Sequence, residues 1–300
     1  MKRAFSIIFA LCLISLINAQ TLKPYILGTS VTGTIDEVKT DVKENLENAG
    51  FKVVGEYMPA GDVSRYVIVV AHPSLDNAVK KVGGLTGFAA TLRVAITNEN
   101  GKLDITYTDP EYWGNAYFRK DYPKVADDYS KISAAFKKAM EGIATYSGTP
   151  FGSKKGLKTD DLRKYHYMFG MPYFDDVVEL GDFDSHSEAV ASIDKALKEG
   201  KPGVSLVYKY SVPGTELTLY GIALSGEKGE SSFLPKIDLD TPKHTAFLPY
   251  EMLVNGDEVV MLHGRYRIAL SFPDLTMGTF TKIMSTPGDI EELLQQLVED

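Results

Sequence analysis

The sequence predicts an α+β protein of two tandem, related units, each a two-layer α/β sandwich with antiparallel hairpins. Three observations predict it. A helix-capping pattern recurs 151 residues later, an Asn-Gly hairpin turn recurs 155 residues later, and a Gly/Ser/Pro-rich joint lies between the copies. Repeats are sought first because one supersecondary unit used twice constrains the whole architecture.

The chain opens on Lys2 and Arg3, then an almost unbroken apolar run from Ala4 to Ile17, with the small residue Ala19 before Gln20. That is the layout of a secretory signal peptide, and the run is shorter than the roughly 20 residues that span a bilayer. Residues 1–19 are therefore expected to be cleaved, giving a periplasmic or secreted protein with no stable membrane anchor. Cys12, the only cysteine, sits in that segment. A mature chain without thiols has no disulfide, thiolate metal site or cysteine nucleophile.

Thr34 and Glu37 form a capping box, and Val38, Val42 and Leu46 give the apolar stripe of the helix they open, closing at Ala49 and Gly50. Ser185 and Glu188, then Ala189, Ile193 and Leu197, repeat the arrangement up to Gly200. Strands follow in both halves: Val53–Tyr57 and Tyr66–Val70 around Pro59–Gly61, and Val204–Tyr210 and Leu217–Leu224 around Pro213–Gly214. Next come hairpins on Asn100-Gly101 and Asn255-Gly256, a strong two-residue turn signal. Helical stretches at Val125–Ile143 and Ile290–Val298 end the copies. The expected division is 20–146 for the first unit, 147–173 for a linker and docking segment, and 174–300 for the second unit.

The first copy resembles the uncharacterised family called domain of unknown function 302, from about Ser30 to Tyr117. The resemblance rests on the helix ending at Ala49–Val53, on the strand closing at His72-Pro73, and on the segment Thr106–Trp113 with Asn115–Tyr117. His72-Pro73 stands where the family usually has Asn-Pro. The resemblance implies a compact α+β fold and implies no reaction, because the family has no established one. In the second copy, Gly264–Phe272 replaces Asp109–Tyr117, so a site built on that motif is expected once per chain. The second copy is expected to pack on the first as an internal pseudo-dimer within a monomer.

Composition bounds the partners. The 300 residues are 44% hydrophobic and 24% charged, with a formal charge of −8, or −10 once Lys2 and Arg3 are lost. An acidic mature chain does not suit sequence-independent binding to nucleic acid, which needs a basic surface. No glycine-elbow serine, His-Glu-x-x-His or Cys-x-x-Cys motif occurs.

The most unusual patch holds Asp109, Glu111, Tyr112, Trp113, Asn115 and Tyr117. Amphipathic aromatics beside a few polar groups suit a small-ligand pocket. The same residues also read as a helix start, with Asp109 as N-cap, Pro110 at the first helical position, and Trp113, Ala116 and Tyr117 packing on the sheet. His166, Met168 and Met171 have the soft donors that suit Cu(I), but an apolar docking segment explains them as well. Gly83, Gly84 and Gly87 read as a flexible connection, and Arg265 and Arg267 as one face of an extended stretch. The expected function is an exported, non-catalytic binding or accessory protein of the cell envelope, acting on a small molecule or envelope protein, with cofactors unknown. The alternatives are a hydrolase- or isomerase-type enzyme using Asp or His in the cleft between the units, and a structural or interaction protein.

Overall fold

Two matched helix starts organise the molecule. In the computed structural model, which describes residues 21–299, Thr34 Oγ1 accepts from the Glu37 amide at 3.3 Å, and Glu37 Oε2 accepts from the Thr34 amide at 2.8 Å. This reciprocal cap satisfies amides that the first helical turn leaves open. It opens α1 (Ile35–Asn48), which follows β1 (Thr21–Leu22) and β2 (Tyr25–Val31). In the second half, Ser185 caps α6 through the Glu188 amide, while the Glu188 carboxylate reaches the Asp184 amide instead.

After α1 come β3 (Lys52–Tyr57), β4 (Arg65–Ala71), α2 (Pro73–Val82), β5 (Leu92–Glu99), β6 (Lys102–Thr108), α3 (Pro110–Phe118) and α4 (Ala126–Ile143). Short pieces β7 (Thr149–Phe151), β8 (Leu157–Lys158) and α5 (Thr159–Leu162) lead to β9 (Val178–Asp182), α6 (His186–Glu199), β10 (Val204–Ser211) and β11 (Leu217–Leu224). The chain ends with α7 (Glu230–Ile237), β12 (Tyr250–Asn255), β13 (Glu258–Met261), α8 (Gly264–Ser271), α9 (Met277–Phe280) and α10 (Thr286–Gln295).

Two large antiparallel sheets result, beside a small two-stranded one of β1 and β8. The first has the order β3-β4-β5-β6-β2-β7 and the second β10-β11-β12-β13-β9. The first five strands of one sheet and the five of the other follow the same succession along the chain. Asn100 (φ 57°) and Gly101 (φ 81°) make the turn between β5 and β6, where two positive φ values match the twist of the flanking strands.

Each sheet has helices on one face. Tyr107 of β6 stacks on Phe136 of α4 at 4.5 Å between ring centres, and Tyr220 of β11 bonds Asp194 of α6. Successive strand residues alternate sides, so Arg93 and Thr97 of β5 point the other way. They meet Glu251 and Thr245 of the second unit. The two sheets thus face each other between outer helices. The edge strands β3 and β10 run so close that a Cβ on Gly55 would lie 2.4 Å from the Val207 carbonyl oxygen.

Three local expectations change. Thr149–Phe151, placed in the joint by its composition, adds the sixth strand to the first sheet by pairing with β2. Arg265 and Arg267 lie on helix α8 and not on an extended stretch. His263 caps α8 through the Arg265 amide, and burial of seven of its eight residues hides the helical period. Residues Gly84–Ala89 form a short 3₁₀ segment with Thr86, Gly87 and Phe88 buried, and Gly87 is pressed against Leu253 of β12. That segment is a packing contact between the units.

Candidate functional site

The sequence patch maps onto α3 and its cap. Asp109 Oδ1 accepts from the Glu111 amide at 2.9 Å and the Tyr112 amide at 3.4 Å. Its carboxyl is buried, and loss of solvent, then the nearby Glu111 charge, pushes its pKa up to about 7. Pro110 occupies the first turn, where its missing N–H costs nothing.

The remaining residues divide by direction. Tyr112 is buried and donates to the Leu270 carbonyl at 2.8 Å, joining α3 to α8. Trp113 donates to the Pro24 carbonyl at 2.8 Å, and the Arg267 guanidinium lies 4.9 Å from its ring centre. These aromatics hold the units together. Tyr117 packs edge-on against Trp113 on one side and stacks on Phe174 at 5.2 Å on the other. Asn115 Nδ2 donates to the Glu111 carbonyl, and its Oδ1 accepts from Arg163 Nε at 2.8 Å.

Tyr117 and Phe174 open onto a groove of about 600 Å³ at the C-terminal end of α3. Val82, Leu85, Tyr117, Phe118 and Phe174 supply its apolar walls. Arg119, Lys120, Arg163 and Lys164 supply cations, against Asp121 and Asp175. Arg119 pairs with Asp175 at 2.6 Å, while Asp121 is drawn to Lys124 at 2.7 Å. Arg163 is set by Asn115 and by the Tyr122 ring, 5.5 Å from its guanidinium carbon. Arg119 holds φ 52° and ψ −126°, a conformation that L side chains rarely adopt. The groove combines an apolar body with a cationic rim on an acidic protein.

Other charged clusters were only faintly visible in the sequence. Arg93 and Glu251 form an ion pair sealed between the sheets, with Tyr208 donating to Glu251 and Arg267 3.9 Å from it. Glu230 accepts from Tyr57, from the Ala60 amide and from the Leu224 amide, and burial pushes its pKa up to about 7. Arg65 pairs with Asp238 and also donates to Thr245. The available signal was a charge interrupting an apolar strand, as at Arg93 and Glu251.

His72 and His263 are helix caps, and His186 bonds Thr218. His166 Nδ1 lies 2.8 Å from the Met168 carbonyl oxygen, Met168 is exposed, and Met171 lines a small apolar crevice with Tyr167 and Leu275. Among the described residues, no three His, Cys, Asp or Glu side chains gather as a metal site. No helix among them is long and apolar enough to cross a membrane. The predicted signal peptide, residues 1–19 with Cys12, lies outside the described residues.

No protein-family model matches the chain, and no curated protein matches it. Among solved structures, an uncharacterized conserved protein DUF302 from Bacillus stearothermophilus aligns with a TM-score of 0.35 at 16% identity. The alignment covers 39% of this chain and 98% of that one.

Proposed function

We propose that the chain is an exported, non-catalytic binding protein of the cell envelope that holds a small anionic molecule with an apolar body in the groove beside Tyr117. The observation that carries this reading is the groove itself, where aromatic and aliphatic walls meet four cations and two acids. Tyr117 forms a wall, Asn115 sets Arg163, and Asp109 and Trp113 support α3 from behind. Glu111 and Tyr112 act through the same helix.

The two halves are taken as copies of one unit fused into an internal pseudo-dimer, so that the chain works as a monomer. Their common strand succession and the recurring sequence offsets support this. A self-complementary contact between like surfaces is the usual form of a two-fold dimer. The enzymatic alternative has less support. Asp109 and Glu230, the carboxyls whose pKa values approach neutrality, are committed to a helix cap and to a contact between the units.

The test is a titration of the full chain with anilinonaphthalene sulfonate, an anion with an apolar body, read through Trp113, the only tryptophan. Saturable one-to-one binding, weakened by Lys164→Ala and by Arg163→Ala, is expected. Binding that does not saturate, or that ignores both substitutions, would remove the groove from consideration.

A further inference from the structure

A second hollow lies on another side of the molecule, where the joint after β7 meets the segment between α7 and β12. Two adjoining cavities of about 220 and 260 Å³ share Gly152, Lys154, Asp240, His244 and Asp274 as walls. His244 is the chemically distinctive member. It is only 6% exposed, and the rings of Tyr25, Phe151 and Phe272 pack around it at 4.9, 5.9 and 4.6 Å. Its Nδ1 lies 3.1 Å from the Ser271 carbonyl oxygen. A carbonyl only accepts, so Nδ1 carries the proton, and in the neutral ring Nε2 keeps the lone pair. Burial lowers the pKa of this imidazole, which favours that neutral form. Among the described residues, no protein group bonds Nε2.

Nε2 is not one of the buried polar atoms left without a partner, so it is open to solvent, and an open acceptor on the wall of a cleft can take a donor from a ligand in place of water. The charges narrow the ligand class. Lys154 and Asp240 line both cavities with Asp274, and Lys23 lines one of them, so two cations face two carboxylates. Asp274 accepts from Ser153 Oγ at 3.1 Å and from the Lys154 amide at 2.6 Å. Asp240 enters no ion pair or hydrogen bond among the described residues. Balanced charges give no net preference for an ionic guest. Groups that donate and accept at once suit such a lining, and hydroxyls do both. Phe272, Leu239 and Leu275 add apolar surface for C–H faces.

We propose that this cleft is a second binding site, distinct from the groove at α3, for a neutral polyhydroxylated ligand of about one sugar ring. One ligand hydroxyl donates to His244 Nε2, and neighbouring hydroxyls donate to Asp240 and accept from Lys154.

The test is imidazole nitrogen NMR on the full chain, in which the other four histidines serve as internal controls. The probes are methyl α-glucoside and N-acetylglucosamine, with inorganic phosphate as an anionic comparison. A saturable shift of His244 Nε2 with either sugar, and not with phosphate, is expected. Asp240→Asn, at an exposed position that does not threaten folding, is expected to weaken that response about tenfold through loss of a charged acceptor. An unmoved His244 with both sugars, a response to phosphate alone, or a sugar response indifferent to Asp240→Asn would overturn the proposal.

Discussion

Asp109 and Glu230 are carboxylic acids held where water does not solvate an ionised carboxylate well, and both have pKa values pushed up to about 7. The folded state therefore binds their protons more tightly than the unfolded chain does. Their effect on stability is favourable at acidic pH and is lost as pH rises from the ordinary carboxylate range through about 7. Asp109→Asn keeps a capping oxygen while removing the charge. It is expected to flatten the fall in stability between acidic and mildly alkaline pH, measured by urea denaturation across that interval. An unchanged slope would place the titration elsewhere. Trp113→Ala is expected to cost about 3–5 kcal/mol of stability, as large buried aromatics do, because the ring is 2% exposed, donates to Pro24 and lies beneath Arg267. Thermal unfolding of the variant reads that loss directly. In the sequence Asp109 and Pro110 already announced a helix start. The helix reading also placed Trp113 and Tyr117 inward on the sheet, whereas the contacts of Tyr112 and Trp113 with α8 were not legible, because α8 lies far along the chain and lacks a polar face.

Helix α3 serves the fold along one side and ends at the groove proposed to bind a ligand. Its C-terminal turn is closed by Arg119 at φ 52° and ψ −126°, a conformation that glycine takes without penalty. Arg119→Gly is expected to stabilise the chain by roughly 1 kcal/mol through relief of this backbone strain, since the pair with the exposed Asp175 contributes little. The same change removes a rim cation and is expected to weaken anilinonaphthalene sulfonate binding. Urea denaturation and the dye titration, made on one variant, separate the two effects. Should both stability and binding fall, Arg119 would be a structural residue only. The paired helices α1 and α6 were legible because each carries its signal locally, in a cap and an apolar stripe. Helix α8 was misread because an Arg-x-Arg alternation looks extended until burial on every side is known. The groove itself has no local signature, since its walls come from α2, α3 and the joint.

At the scale of the whole molecule, the contact between the sheets contains ions as well as apolar surface. Arg93 and Glu251 are 1% and 5% exposed, and Arg267 is 2% exposed. Such a pair adds little net stability against an apolar replacement, but losing one partner leaves a charge stranded without solvent. Glu251→Ala is therefore expected to cost about 3–5 kcal/mol, while Arg93→Met combined with Glu251→Leu costs less, leaving Arg267 held by Ser271 and the Phe247 carbonyl alone. The position of the pair adds a second expectation. Arg93 belongs to the first sheet and Glu251 to the second, so stranding either charge weakens both units at once. Calorimetry of Glu251→Ala should show one transition moved to lower temperature. A second transition, with one half melting at its original temperature, would mean that the units fold independently. In that case the ion pair would be a local contact and not the centre of a single cooperative structure.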